Sequence, residues 1–186
     1  MKKKKKSTKK ELKIDIDQIL LQKREIFLFG VITTDLANNI IKKLLALDHI
    51  SKKPIILWIN SPGGSVRQGF AIIDIINSIK APVITIISGQ ACSMAALISL
   101  AGKKRVITRH SVWMIHDMSG GISGDYTTKV LHRTHYLKQE QDRLFKFIKN
   151  RTKLTPSDMT KAKNGELWLN AVECLNKGVV TDILTK

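Results

Sequence analysis

Apolar positions along this chain alternate between two rhythms. Short apolar runs, EIFLF at 25–29, IILWI at 55–59, VITII at 83–87 and VWMI at 112–115, read as strands. Between them, residues 33–47 carry apolar side chains at 36, 40, 41, 44, 45 and 47, a helical face with Thr34 or Asp35 as its cap. Residues 66–79 repeat that period through Ile72, Ile73, Ile75, Ile76 and Ile79, and Lys80-Ala81-Pro82 ends the helix. Residues 14–21 predict a short helix or an extended arm, residues 48–53 a polar loop, and residues 103–105 a basic turn. Residues 106–108 and 112–115 read as a strand pair joined through Arg109-His110-Ser111.

The second half has fewer, longer segments. Residues 118–124 form a Gly/Ser loop, and residues 125–150 a long charged helix with an apolar stripe at 130, 131, 137, 144, 145 and 148. Thr155-Pro156-Ser157-Asp158 is a helix start: a cap, a proline in the first turn, and an acid three residues after the cap. A short strand at 167–169, a helical turn or two at 171–176 stopped by Gly178, and an apolar close at 179–184 complete the pattern. Strands alternating with helices predict an α/β fold around a mostly parallel, buried sheet.

Composition sharpens this. A chain of 186 residues suits one domain, and with only 5% aromatic residues its core must be aliphatic. The formal net charge is +17, but residues 1–13 hold eight lysines against Glu11, a net of +7, which leaves +10 for the rest. Such a run reads as a disordered tail. With no aromatics interleaved and no apolar segment, it indicates neither specific nucleic-acid binding nor a secretory signal. Residues 81–102 lack any charge, enough length to suggest a membrane span. Their change from β-branched to helix-prone composition fits a buried strand and helix instead. Cys92 and Cys174 have no metal-ligand or disulfide spacing, so they read as buried small side chains in a reducing compartment. No nucleotide-binding glycine motif and no clustered metal ligands occur, so no cofactor or metal is expected.

Candidate chemistry lies at strand ends. Ser93 stands where an apolar strand gives way to helix, beside the free N–H groups of a helix start. Serines at such junctions also serve as caps. Acyl transfer needs a nucleophile, a base and a pair of oxyanion donors. Ser61-Pro62-Gly63-Gly64 follows another strand, and in a parallel sheet both turns emerge on one edge. The N–H groups of Gly64 and Met94 could then converge on one oxygen. Of the five histidines, His49 falls in a polar loop, His132 and His135 on the charged helix, and His110 in the basic turn. His116 follows an apolar strand, where a base is held rigidly.

INSPGGSV at 59–66, GQACSMA at 89–95, MIH at 114–116 and the closing WLNAVECLNKGVV together resemble, in order and spacing, the ClpP family, the proteolytic subunit of the ATP-dependent Clp protease. The resemblance runs from about residue 20 to residue 184. It implies a crotonase-like α/β fold of repeated β-α units, with residues 14–186 as a single peptidase domain and residues of about 118–150 as a protruding handle. It implies a serine endopeptidase of the cytoplasm, self-associated into two stacked heptameric rings. Unfolded polypeptides would be delivered by a partner AAA+ ATPase, with no ATP site in this chain. It aligns Ser93 with the nucleophile, His116 with the general base, and Gly64 and Met94 with the oxyanion-hole amides.

The resemblance also implies an acidic third member a fixed distance before Trp168-Leu169-Asn170-Ala171. An ungapped count lands on Ala162, which cannot orient an imidazole. Glu166 and Asn164, a little further on, are the candidates to replace it, and Asn would bring no charge. Asp158 reads as the helix-start acid, and Asp117, next to His116, points to the opposite face of its strand. Asp117-Met118 stands where the family has Gln-Pro, and Gly124-Asp125-Tyr126 where its handle loop has Gly-Gln-Ala. Ala162 leaves a second expectation open: a non-catalytic structural subunit of a mixed ring.

Overall fold

A computed structural model describes residues 15–118 and 127–185. The lysine tail, the Gly/Ser loop at 119–124, the Gly124-Asp125-Tyr126 departure and the expected start of the long helix at residue 125 lie outside the described residues. A seven-stranded sheet runs in the order β1 (Glu25–Phe29), β2 (Ile55–Ser61), β3 (Val83–Cys92), β4 (Lys104–Thr108) and β7 (Asp182–Leu184). All of these pairs are parallel. β5 (Val112–His116) joins β3 further along, also parallel, and β6 (Glu166–Asn170) pairs antiparallel with β5. The α/β expectation with a mostly parallel sheet therefore holds.

Helices α1 (Ile16–Gln22), α2 (Thr34–Ile50), α3 (Val66–Ser78), α4 (Met94–Ser99), α5 (Thr127–Lys149), α6 (Pro156–Asn164) and α7 (Ala171–Asn176) fill the connections. The aliphatic core forms where α2, α3 and α4 meet the sheet, around Leu28, Leu44, Leu57, Ile59, Ile72, Ile87 and Ile98. β1 and β2 bury only alternate side chains, so their continuous apolar runs do not mean coverage on both faces. On the other face Trp58 Nε1 donates to Glu25 Oε2 at 2.9 Å.

Several local expectations are corrected. α2 is capped by Thr33, whose hydroxyl accepts from Leu36 N at 3.2 Å, and it runs on through Ile50. His49 thus sits in a helix end rather than a loop. The basic turn is shorter than expected: Lys104 and Arg105 open β4, where Lys104 pairs with Asp182 at 3.4 Å. β4 and β5 do not pair with each other; each takes a different stretch of β3 as its neighbour. β3 does not stop at Ile87. It passes through Gly89, at φ +105, and continues to Cys92 while its register against β2 shifts. The buried Ser111 secures this passage: its hydroxyl accepts from Gly89 N at 2.7 Å and donates to Ile87 O at 3.3 Å. The uncharged stretch at 81–102 becomes β3 and the six-residue α4. No helix among the described residues is long and apolar enough to cross a membrane.

α6 starts as its sequence predicts. Thr155 Oγ accepts from Asp158 N, and Asp158 Oδ2 accepts from Thr155 N at 2.9 Å and from Lys177 Nζ at 2.7 Å. Burial pushes the Asp158 carboxyl up, but the Lys177 ammonium and the Thr155 N–H and hydroxyl outweigh it and hold the group at about 2. Its carboxylate therefore contributes stability above the ordinary value of 3.8, and that contribution is lost as pH falls toward about 2. Asp158→Ala is expected to lower unfolding free energy by about 1–2 kcal/mol at neutral pH. Urea titrations at pH 7, 4 and 2 should show the gap between variant and wild type closing across the acid range.

Candidate active site

β2 ends in a turn that only glycine can complete. Ser61 Oγ accepts from Gly63 N at 3.1 Å, and Gly63 and Gly64 take φ values of +99 and +146. Ile32 N donates to Gly63 O at 2.8 Å, and Ser65 N donates to Ile32 O at 3.0 Å. This bridge straddles Gly64 and leaves its N–H without a protein acceptor among the described residues. A β-carbon on Gly63 would lie 2.7 Å from the Cys92 carbonyl oxygen, 2.8 Å from Ser93 Cβ and 3.0 Å from Met94 N. The glycine turn is therefore packed directly against the end of β3.

Ser93 joins β3 to α4 at φ 54 and ψ −124, a sparsely populated region for a residue with a side chain. Its N–H donates to Met114 O at 2.8 Å, and its carbonyl accepts from Ala96 N at 3.0 Å. Its hydroxyl makes no capping bond. The simple reading of Ser93 as a helix cap is thus not what the chain does with it. Met94 begins α4, and its N–H has no protein acceptor among the described residues.

His116 is the last residue of β5, whose Met114 lies beside Cys92 of β3. Strand register thus brings the C-terminal ends of β3 and β5 together. Gly64, Ser93, Met94 and His116 all line one recess of about 60 Å³. One side of its wall is apolar, with Val66, Leu97, Ile115, Leu144, Phe145 and Ile148 contributing, and Ser93, His116 and Asp117 make the other side polar. The last three give α5 a role that its periodicity did not reveal: the second half of its stripe closes the site. The first half remains outside the core, with Leu131 exposed. The Ser93 hydroxyl and the His116 ring have no hydrogen-bond partner among the described residues.

The three third-member positions separate clearly. Ala162 is fully buried on α6, within the apolar core. Asn164 ends α6, exposed and without a side-chain hydrogen bond among the described residues. Glu166 lies directly opposite His116 in the antiparallel pairing of β5 with β6. Side chains so paired share a face, with Cβ atoms about 4.5–5.5 Å apart. Across the sheet the order is Ser93 at the end of β3, His116 on the middle strand, and Glu166 on the far flank. Asp117 is engaged elsewhere: its Oδ1 accepts from Met118 N at 2.6 Å and from Gln141 Nε2.

The remaining titratable groups stand apart. Burial, and secondarily the Glu166 charge, pushes the Cys92 thiol up. Burial and then Glu173 push Cys174 to about 12. Both cysteines are free, buried and kept as thiols, so neither competes with Ser93 as a nucleophile. His132 and His135 are exposed on α5, with His135 against Gln139 at 3.0 Å. No group of three or more His, Cys, Asp or Glu side chains among the described residues could hold a metal ion.

Known proteins are similar to this chain in sequence over most of its length. The family model described as Clp protease matches residues 8–186. The ATP-dependent Clp protease proteolytic subunit 2 of Treponema pallidum is 34% identical over 91% of this chain and 86% of its own length. The ATP-dependent Clp protease proteolytic subunit 1 of Shouchella clausii is 37% identical, covering 94% and 91%. A Streptococcus pyogenes ATP-dependent Clp protease proteolytic subunit is 36% identical over the same shares. With a fold of parallel β-α units and matches that span nearly its whole length, the chain belongs to the Clp protease family.

Proposed function

We propose that this protein is a serine endopeptidase subunit of an ATP-dependent Clp protease, cutting unfolded polypeptides that a partner AAA+ ATPase delivers. The observation that carries the reading is the unspent hydroxyl of Ser93, held at a strained junction between two unpaired amides and sharing a recess with His116. In this reading Ser93 Oγ attacks the scissile carbonyl while His116 takes its proton. The N–H groups of Gly64 and Met94 stabilise the tetrahedral oxyanion. His116 then returns the proton to the leaving amine, and water repeats the sequence on the acyl-enzyme. The apolar side of the recess, formed by Leu97, Leu144, Phe145 and Ile148, offers a surface for an apolar side chain next to the scissile bond.

Glu166, rather than Asn164 or the position at Ala162, is the group we assign to orient His116. Its place across the strand pair supports this, and its carboxylate can stabilise the imidazolium as an amide cannot. The names of the relatives speak for an active proteolytic subunit over a non-catalytic one. We further assign residues 14–186 to one peptidase domain, residues of about 118–150 to its handle, and the assembly to two stacked heptameric rings in the cytoplasm. These assignments rest on the family.

Hydrolysis of a fluorogenic peptide tests the acid directly. Glu166→Gln is expected to lower kcat by about 10²–10⁴-fold, because the carboxamide preserves shape but not charge. Asn164→Ala should stay within about twofold of wild type. The opposite ranking would move the third role to Asn164.

A further inference from the structure

β6 carries Glu166, Trp168 and Asn170 on one face, opposite His116, Met114 and Val112 of β5. Within that row Trp168 Nε1 donates to Glu166 Oε2 at 2.7 Å. Both side chains are exposed, with Trp168 48% accessible, so burial does not hold them together. The contact engages one carboxylate oxygen and leaves Oε1 for another donor. An exposed glutamate otherwise samples many rotamers, and ordering it opposes any fixed contact with an imidazole. An indole is a donor without acceptor capacity, so in this bond the carboxylate oxygen is the acceptor.

We infer that Trp168 is a positioning residue: its indole N–H fixes the Glu166 carboxylate so that the free oxygen meets the His116 N–H. The inference rests on the reading of Glu166 given above. It takes the form of the outer partners that orient a functional carboxylate, whose loss lowers activity about 10–100-fold. The titratable groups around His116 are Glu166 on β6, Cys92 on β3 and Asp117 beside it. Asp117 is occupied by Met118 N and Gln141. Glu166 is the carboxylate paired with His116 across the two strands. Trp168→Phe keeps the aromatic surface and removes only the N–H.

The test is the rate of Ser93 labelling by a fluorophosphonate probe as a function of pH. Wild type, Trp168→Phe, Glu166→Gln and the double variant are compared, each matched for circular dichroism and assembly size. Trp168→Phe should label about tenfold more slowly, and the acid-limb midpoint should move to lower pH as the imidazolium loses its fixed counter-charge. The double variant should equal Glu166→Gln alone, because Trp168 acts only through that carboxylate. Wild-type rate and midpoint in Trp168→Phe, or losses that multiply in the double variant, would overturn the inference while leaving Glu166 in place. A Glu166→Gln variant that labels like wild type would overturn the reading of Glu166 and this inference with it.

Discussion

Ser93→Ala is expected to reduce peptide hydrolysis by at least about 10⁴-fold, and Ser93→Gly to do the same while raising stability. Removing the nucleophile of a serine hydrolase leaves only what binding and the oxyanion donors contribute. The second half of the expectation comes from the backbone. Ser93 stands at φ 54 with its hydroxyl unused, so the chain holds a strained conformation there with no compensating cap. Such strain costs about 1–3 kcal/mol for a residue with a Cβ, and glycine removes it while losing more entropy on folding. A net gain of about 1 kcal/mol in Ser93→Gly, measured by thermal or urea unfolding, is the expected balance. Ser93→Ala keeps the Cβ and should unfold like wild type. Loss of activity with a gain in stability marks a residue placed for chemistry. A Ser93→Gly variant less stable than wild type would show that the serine serves the fold.

Gly63→Ala should be nearly as damaging, for a different reason. Its new methyl would meet the Cys92 carbonyl oxygen, Ser93 Cβ and Met94 N, all within 3.0 Å. Those atoms belong to backbone or lie next to it, so no flexible side-chain end can yield. The turn must move off the end of β3, which separates the Gly64 N–H from the Met94 N–H. Losing one oxyanion donor costs about 10²–10³ in kcat. The expected result is a loss in kcat of at least about 100-fold, with stability lowered by about 2–3 kcal/mol. Gly30→Ala is the matched control. Gly30 also has a positive φ, +82, but a β-carbon there meets nothing within 4 Å. It should lower stability by the conformational strain alone and leave kcat unchanged.

What could be read in the sequence follows the range of the forces involved. β1 has the bounds its apolar run predicts, and α6 opens with the capping box that Thr155 and Asp158 announce. Both depend on neighbours a few residues away. That Gly64, Ser93, Met94 and His116 would come together was also legible, because they lie at the ends of apolar runs in a sheet that alternation predicts to be parallel, and they line one recess. The continuation of β3 was not. Ser88-Gly89-Gln90 reads locally as a turn, and only Ser111, 22 residues later, holds it as a kink within a strand. The same limit applies to the candidates for the third position. Ala162, Asn164 and Glu166 are close in sequence, and the register of β6 against β5 decides which one faces His116. The stripe on α5 announced a buried face but not that Leu144, Phe145 and Ile148 cover the recess beside Ser93.

The most direct measurement is to treat the assembled protein with a fluorophosphonate probe and map the adduct by peptide mass spectrometry. One adduct per chain is expected, on Ser93, formed at a rate that falls steeply in a His116→Ala variant. No adduct, with or without a partner ATPase, or an adduct on another serine with Ser93 unmodified, would contradict it.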